Sequence, residues 1–271
     1  MKSKSNDYTK TKSNVIYQGN STIVLFNGNI LKEVKKSFVS NDILGKEIGS
    51  VFPEYICQIY NMYDNGDTVM FEEEYCEGGS LDHYLKNDGL NESDIRAISK
   101  RLLKALEGNN LYNIVHRDIK PLNIFLRKKD DFTSCVLGDY GHSTLLNNTG
   151  IVQKTGTRYY MAPESIYNIK ADIYSLGMTL LHCHLGKSFF SEISKIGDRK
   201  EVRKYINDLD ISEDFHSFLK SCLEENPNRR ISINDALNHV FIIENPEEEE
   251  MNEEEDDGEE EEDIDCLLVI K

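Results

Sequence analysis

Nine consecutive residues, Val115-His116-Arg117-Asp118-Ile119-Lys120-Pro121-Leu122-Asn123, bring a carboxylate, two cations and a carboxamide into one short stretch. Transfer of a phosphoryl group needs a carboxylate to receive a hydroxyl proton, a cation beside the moving charge and a neutral oxygen ligand for a metal ion. Asp118, Lys120 and Asn123 are of those three types. A second carboxylate suited to the same metal stands downstream in Leu137-Gly138-Asp139-Tyr140-Gly141. The tripeptide His-Arg-Asp alone carries little information. The register of Lys120 and Asn123 behind it carries the reading.

That register, His-Arg-Asp followed by four residues and Asn, resembles the catalytic loop of protein kinases. Further segments are similar to kinase landmarks in the right order. They are the metal loop at Asp139, with Tyr140 where Phe is usual, Met161-Ala162-Pro163-Glu164, Asp172-Ile173-Tyr174-Ser175-Leu176-Gly177, and Pro227-Asn228-Arg229-Arg230. The resemblance covers roughly residues 14 to 244 and points to a eukaryotic-type serine/threonine protein kinase. It implies Asp118 and Lys120 as catalytic residues, Asn123 and Asp139 as magnesium ligands (manganese being an alternative ion), and ATP as phosphoryl donor. It also implies that Asp172 braces the catalytic loop and that Arg230 pairs with Glu164. Thr157 matches the threonine that such kinases place beside the catalytic aspartate. Arg117 matches an arginine that commonly binds an activation-loop phosphate. Thr149 and Thr155 are available acceptors for one, Ser143 and Thr144 are less well placed, and the usual family position is Gln153.

The first third of the chain departs from the pattern. The phosphate-covering loop, normally with three glycines, is matched at Tyr17-Gln18-Gly19-Asn20-Ser21-Thr22-Ile23-Val24 only by Gly19 and by Val24 over the adenine. Lys32 stands where the third-strand lysine belongs, because Ile30 two before it suits the adenine pocket. Lys35 has Glu33 in that place. Glu47, on the following helix, is the expected partner of Lys32. Glu74-Tyr75-Cys76-Glu77-Gly78-Gly79 resembles the hinge, whose backbone at Glu74 and Cys76 would meet adenine, with Phe125 also in the nucleotide pocket. That register puts Glu73 at the normally apolar gatekeeper position. It turns outward, or meets the adenine amino group, or meets a cation, because an unpaired buried carboxylate costs several kcal/mol or takes up a proton.

Positioning these residues requires a sheet followed by helices. Val15 to Cys76 alternates as strands, with Asn27-Gly28 as a hairpin turn and Asp64-Asn65-Gly66-Asp67 as another. Ser40-Asn41-Asp42 reads as the cap of a helix carrying Ile43, Leu44, Glu47, Ile48 and Val51 and stopping before Pro53. Helical spacing appears over 94–106, 173–185, 215–223 and 234–241. The fold class is α+β, a bilobal kinase-like fold. A disordered segment is expected over 1–13, a sheet-built small lobe over 14–76, a larger helical lobe over 77–244 and an acidic disordered tail over 245–271. His182-Cys183-His184 looks metal-like, but helix positions i and i+2 face different ways, so packing is the better reading.

The 271 residues suffice for a sizeable core. Of the net charge of −17, residues 247 to 271 supply −14, leaving the rest close to neutral. Such a tail argues against direct nucleic-acid binding. No secretory signal and no long apolar run are visible, and the six cysteines form no Cys-x-x-Cys pair. A reduced compartment, cytoplasmic or nuclear, is expected, with no membrane association. The partners expected are protein substrates. Leu267-Leu268-Val269-Ile270 beside acidic residues resembles a SUMO-interacting motif. The competing reading is a pseudokinase, a kinase-fold scaffold that binds partner proteins. A small-molecule kinase fits less well, since Gly156-Thr157 and Ala162-Pro163-Glu164 resemble peptide-docking activation segments.

Overall fold

Asn27-Gly28 makes the first tight reversal, and Gly28 takes φ +80°, which glycine adopts at no steric cost. The computed structural model describes residues 15–18, 22–85, 88–147, 150–152, 155–198 and 201–243, with backbone alone for 15–18, 22–27, 38 and 40. Gly19, Thr149, Gln153, the acidic tail and the Leu267–Ile270 motif therefore lie outside the described residues.

Strands β1 (Val15–Gln18), β2 (Thr22–Asn27), β3 (Asn29–Lys35), β4 (Ile59–Asn65) and β5 (Thr68–Glu73) form an antiparallel sheet in the order β1-β2-β3-β5-β4. Helix α1 (Val39–Val51) packs on one face of it. Directly opposed residues share a face. Val34 opposes Val69, Lys32 opposes Phe71 and Ile30 opposes Glu73. One face thus carries a small apolar core of Val34, Val69 and Phe71 against Val39, and at its far end the functional residues. The expected cap Ser40-Asn41-Asp42 falls inside the first turn of α1, because buried Val39 already begins the helix.

The larger lobe is built on α2 (Glu92–Leu111) and α3 (Ile169–Leu185). Asn91 and Asn168 cap them by accepting from the backbone N–H groups of Asp94 and Lys170 at 2.8 Å. Ile95, Ile98, Leu102, Leu103 and Leu106 of α2 are buried as their spacing requires, and α3 is buried continuously from Ala171 to Cys183. Short strands β6 (Gly79–Ser80), β8 (Ile124–Leu126) and β9 (Cys135–Leu137) form one sheet, and β7 (Ile114–Val115) pairs with β10 (Thr144–Leu145). Helices α4 (Phe189–Ile196), α5 (Val202–Tyr205), α6 (Glu213–Cys222) and α7 (Ile233–Leu237) complete the lobe. The last is shorter than its spacing suggests, and α4 and α5 have no strong sequence signal. His182 stacks on Phe189 at 4.4 Å and meets the Tyr160 hydroxyl at 2.8 Å, so packing is its role. No helix among the described residues is long and apolar enough to cross a membrane.

Candidate active site

The loop between β7 and β8 is held from below. Buried Asp172 accepts the backbone N–H groups of His116 and Arg117 at 2.7 and 2.9 Å. Burial pushes its carboxyl up to about 6, against the pull of those two donors. His116 is buried against the Tyr140 ring at 4.7 Å and meets the Gly138 carbonyl at 3.0 Å. Burial lowers its imidazole to about 4, so it is neutral near pH 7.

On this base Asp118 is saturated with donors. Oδ1 accepts from the Thr157 backbone N–H and hydroxyl, both at 2.8 Å, and Oδ2 accepts from Lys120 at 2.8 Å and the Asn123 amide at 3.0 Å. Lys120 also donates to Thr157 Oγ1 at 2.7 Å. The Thr157 hydroxyl therefore accepts from a cation and donates to an anion, which fixes its direction. Burial acts to raise the Asp118 carboxyl, but Lys120 and Thr157 override it and hold it low. Asn123 spends its N–H groups on Asp118, at the backbone carbonyl as well as the side chain, leaving its amide oxygen to serve a cation.

Asp139 follows β9 with φ +53°, a left-handed conformation uncommon for a non-glycine residue. Its carboxylate is 40% exposed toward the cleft. Burial of the site would raise it, but Lys32 at 2.8 Å holds it well below the usual carboxylate range. Lys32 makes a second bond of 2.8 Å, to Asp42. Burial would lower this ammonium, but Asp139, Glu73 and Asp42 raise it well above its ordinary value. The expected Lys32–Glu47 pair is therefore corrected to Lys32–Asp42. At 100° per residue Glu47 sits 140° round α1 from Asp42. It is exposed beside Ser50 and Val51, while Asp42 shares the buried face with Gly45 and Gly49. A side chain on Gly45 would strike Tyr140, its ideal Cβ lying 2.8 Å from Tyr140 Cβ. The small residue lets α1 approach and bring Asp42 to the lysine.

Ile30 and Glu73 are cross-strand neighbours beside Lys32, and Val24 on β2 opposes Lys32 in register. Glu73 turns inward rather than outward, with no direct ion pair to a cation among the described residues. Its side chain lines a small cavity with Asp42, Cys57, Ile59, Asp139 and Tyr140. Burial pushes its carboxyl up to about 7, with Lys32 opposing. Phe125 on β8 packs against Gly138, where a Cβ would lie 2.7 Å from its ring. At the hinge, the Glu74 side chain turns away from the cleft to Arg127, which donates at 2.6 and 2.9 Å.

Arg117, at φ +69°, donates to the His142 carbonyl at 2.6 Å, and Thr155 meets the His142 ring at 3.0 Å. The structure thus gathers Arg117 and Thr155 around His142. Glu164 receives Arg230 at 2.7 and 2.9 Å.

The description "Protein kinase domain" matches residues 31–242. The chain belongs to the protein kinase family. Among similar proteins, serine/threonine-protein kinase dst2 of Dictyostelium discoideum is 35% identical over 213 residues, covering 71% of this chain and 18% of that protein. Serine/threonine-protein kinase KIC1 of Saccharomyces cerevisiae is 31% identical over 198 residues, covering 69% and 18%. Mitogen-activated protein kinase kinase 2 of Arabidopsis thaliana is 31% identical over 215 residues, covering 70% and 56%. The chain thus spans less than a fifth of the first two and just over half of the third.

The sequence alone does not reveal Asp42, hidden in what reads as a capping triplet, or Arg127, for which no spacing signal exists. Nor does it single out Asn109, fully buried on α2, whose side-chain oxygen accepts the Tyr140 hydroxyl at 2.9 Å. A polar residue inside the apolar stripe of α2 was the available clue.

Proposed function

We propose that the chain transfers the γ-phosphoryl group of ATP to serine and threonine hydroxyls of protein substrates. One observation carries the reading: Asp118, Lys120 and Thr157 form a closed, charge-compensated triangle, with Asp139 presented from the next loop. Asp118, kept ionised, orients the acceptor hydroxyl and takes its proton as the new bond forms. Lys120 lies within reach of the same carboxylate and neutralises the charge that migrates past it. Thr157 favours an aliphatic hydroxyl by holding both groups in one geometry. Lys32, fixed by Asp42, faces the nucleotide's phosphates. An all-oxygen donor pair, the Asp139 carboxylate and the Asn123 amide oxygen, suits a hard cation such as Mg2+. Those two residues would hold it, and when bound it supplies charge neutralisation on the phosphates.

A scaffold without catalysis fits less well, since Asp118, Asn123, Asp139 and Lys32 are all present and paired, Asp118 with Asn123 and Asp139 with Lys32. Transfer of radiolabelled phosphate to generic protein substrates, with wild type beside Asp118→Asn, tests the proposal. Label on substrate that disappears in the variant is expected. No transfer by wild type with either magnesium or manganese, while nucleotide still binds, would favour the scaffold.

A further inference from the structure

Cys57, just before β4, and Cys76, just after β5, belong to two segments that the sheet brings side by side. The Cys57 thiol lies 3.9 Å from the Glu74 backbone carbonyl, which ties the two segments together. Together with one oxygen of Glu74, the two sulfurs form a cluster whose candidate ligand atoms all lie within 4.8 Å of one another. Nothing in the phosphoryl-transfer chemistry above uses these side chains.

We propose that Cys57, Cys76 and Glu74 form a binding site for a zinc-class divalent ion, and that the ion opposes nucleotide binding at the hinge. Two sulfurs and a carboxylate are a zinc donor set, with a fourth position left for water. Tetrahedral zinc with bonds of about 2.3 Å to sulfur sets its two sulfurs about 3.8 Å apart. The cluster therefore closes onto an ion with shifts of about 1 Å or less. The backbone that carries it is already fixed: Cys57 N–H donates to the Leu137 carbonyl at 2.9 Å, and Glu74 N–H to the Gln58 carbonyl at 2.8 Å.

Glu74 is also oriented as metal-bound carboxylates usually are, by an outer hydrogen-bonding partner. Arg127 takes one bond to each of its oxygens, and Gln58 N–H adds another at 3.2 Å. Oε2 accepts from both Arg127 and Gln58, so Oε1, with Arg127 alone, is the oxygen that keeps accepting capacity. Binding releases both thiol protons to solvent, one from each cysteine, while Glu74 enters as the carboxylate. Affinity therefore rises with pH.

The inhibitory half of the proposal rests on the kinase reading, because Glu74 and Cys76 supply the backbone edge assigned to adenine. The binding half does not. Titrating the full chain with Co2+, anaerobically and in reducing buffer, should produce a thiolate-to-cobalt charge-transfer band in the near ultraviolet at one ion per chain. Zn2+ should displace it. Cys57→Ser and Cys76→Ser should each weaken cobalt binding tenfold or more, with thermal melts confirming that both fold. A fluorescent ATP analogue should bind wild type more weakly when Zn2+ is present, and Cys57→Ser equally with and without it.

Absence of the band, or a band unchanged in both serine variants, would overturn the site. So would loss of two titratable thiols after chelation, which would identify a Cys57–Cys76 disulfide instead. A band without any effect on nucleotide would overturn the inhibitory half. Failure of the analogue to bind even without metal would count against the kinase reading and leave the site standing.

Discussion

Glu73 shows how one residue can set a pH dependence. Its carboxyl is pushed up from about 4.5 to about 7, so between those values the folded chain holds a proton that the unfolded chain has lost. Stability therefore declines as pH rises through this window, and the full penalty is present above pH 7. A shift of that size corresponds to at most roughly 3 kcal/mol. Glu73→Gln removes the charge while keeping the shape. Its melting temperature should match wild type near pH 4.5 and exceed it by several degrees at pH 8. Equal curves across that range would show that Lys32 already neutralises the carboxylate. Asp118→Asn is the other informative change at this scale. Losing the proton acceptor should lower turnover by about 10²- to 10⁴-fold, while nucleotide affinity, read by titration with an ATP analogue, stays within a few-fold. An equal loss of affinity would assign Asp118 a mainly structural role.

Among the elements, α1 decides which acid meets Lys32. Asp42→Asn should impair both nucleotide binding and turnover, since among the described residues Lys32 then keeps Asp139 alone as a carboxylate bonded at 2.8 Å. Glu47→Gln should change neither by more than a few-fold, and the reverse pattern in steady-state kinetics would reinstate Glu47. The contact between Tyr140 and α2 makes a second prediction. Tyr140→Phe strands the buried Asn109 oxygen and should cost about 1–3 kcal/mol in denaturant unfolding. Tyr140→Phe combined with Asn109→Leu should recover most of that loss, because removing both polar partners leaves nothing unpaired. Additive losses in the double variant would argue that the two groups are not coupled. These cases also show what the sequence made legible. The catalytic loop was readable because Asp118, Lys120 and Asn123 lie within six positions and are placed by local backbone. The buried stripes of α2 and α3 were readable from their spacing. Asp42, Arg127 and Asn109 were not, because each owes its role to a partner at a distance in the chain. The Asp42 error came from the start of α1: the helix begins at Val39, so Asp42 lies inside the first turn, on the buried face, rather than at the cap.

At the scale of the whole molecule, charge pairs tie distant segments together. Arg230 is 1% exposed and joins Glu164 to the carbonyls of Lys170 and Glu224. Truncating one member of a buried pair leaves an uncompensated charge. Arg230→Ala should therefore cost about 3–5 kcal/mol, with a melting temperature lower by ten degrees or more, whereas a loss under 1 kcal/mol would place the pair effectively in solvent. Between the lobes, Arg101 and Arg127 both reach the Glu54 carbonyl, Arg127 also reaches the Pro53 carbonyl at 2.5 Å, and Arg127 holds Glu74 at the hinge. These anchors cluster on the closed side of the cleft. Contacts confined to this rear edge would act as a fulcrum, resisting sliding of the small lobe more than rocking. Opening is then least at Glu74 and Cys76, the end that these anchors hold. A nucleotide bound as proposed would then free its phosphate end first, with its base seated until the last step.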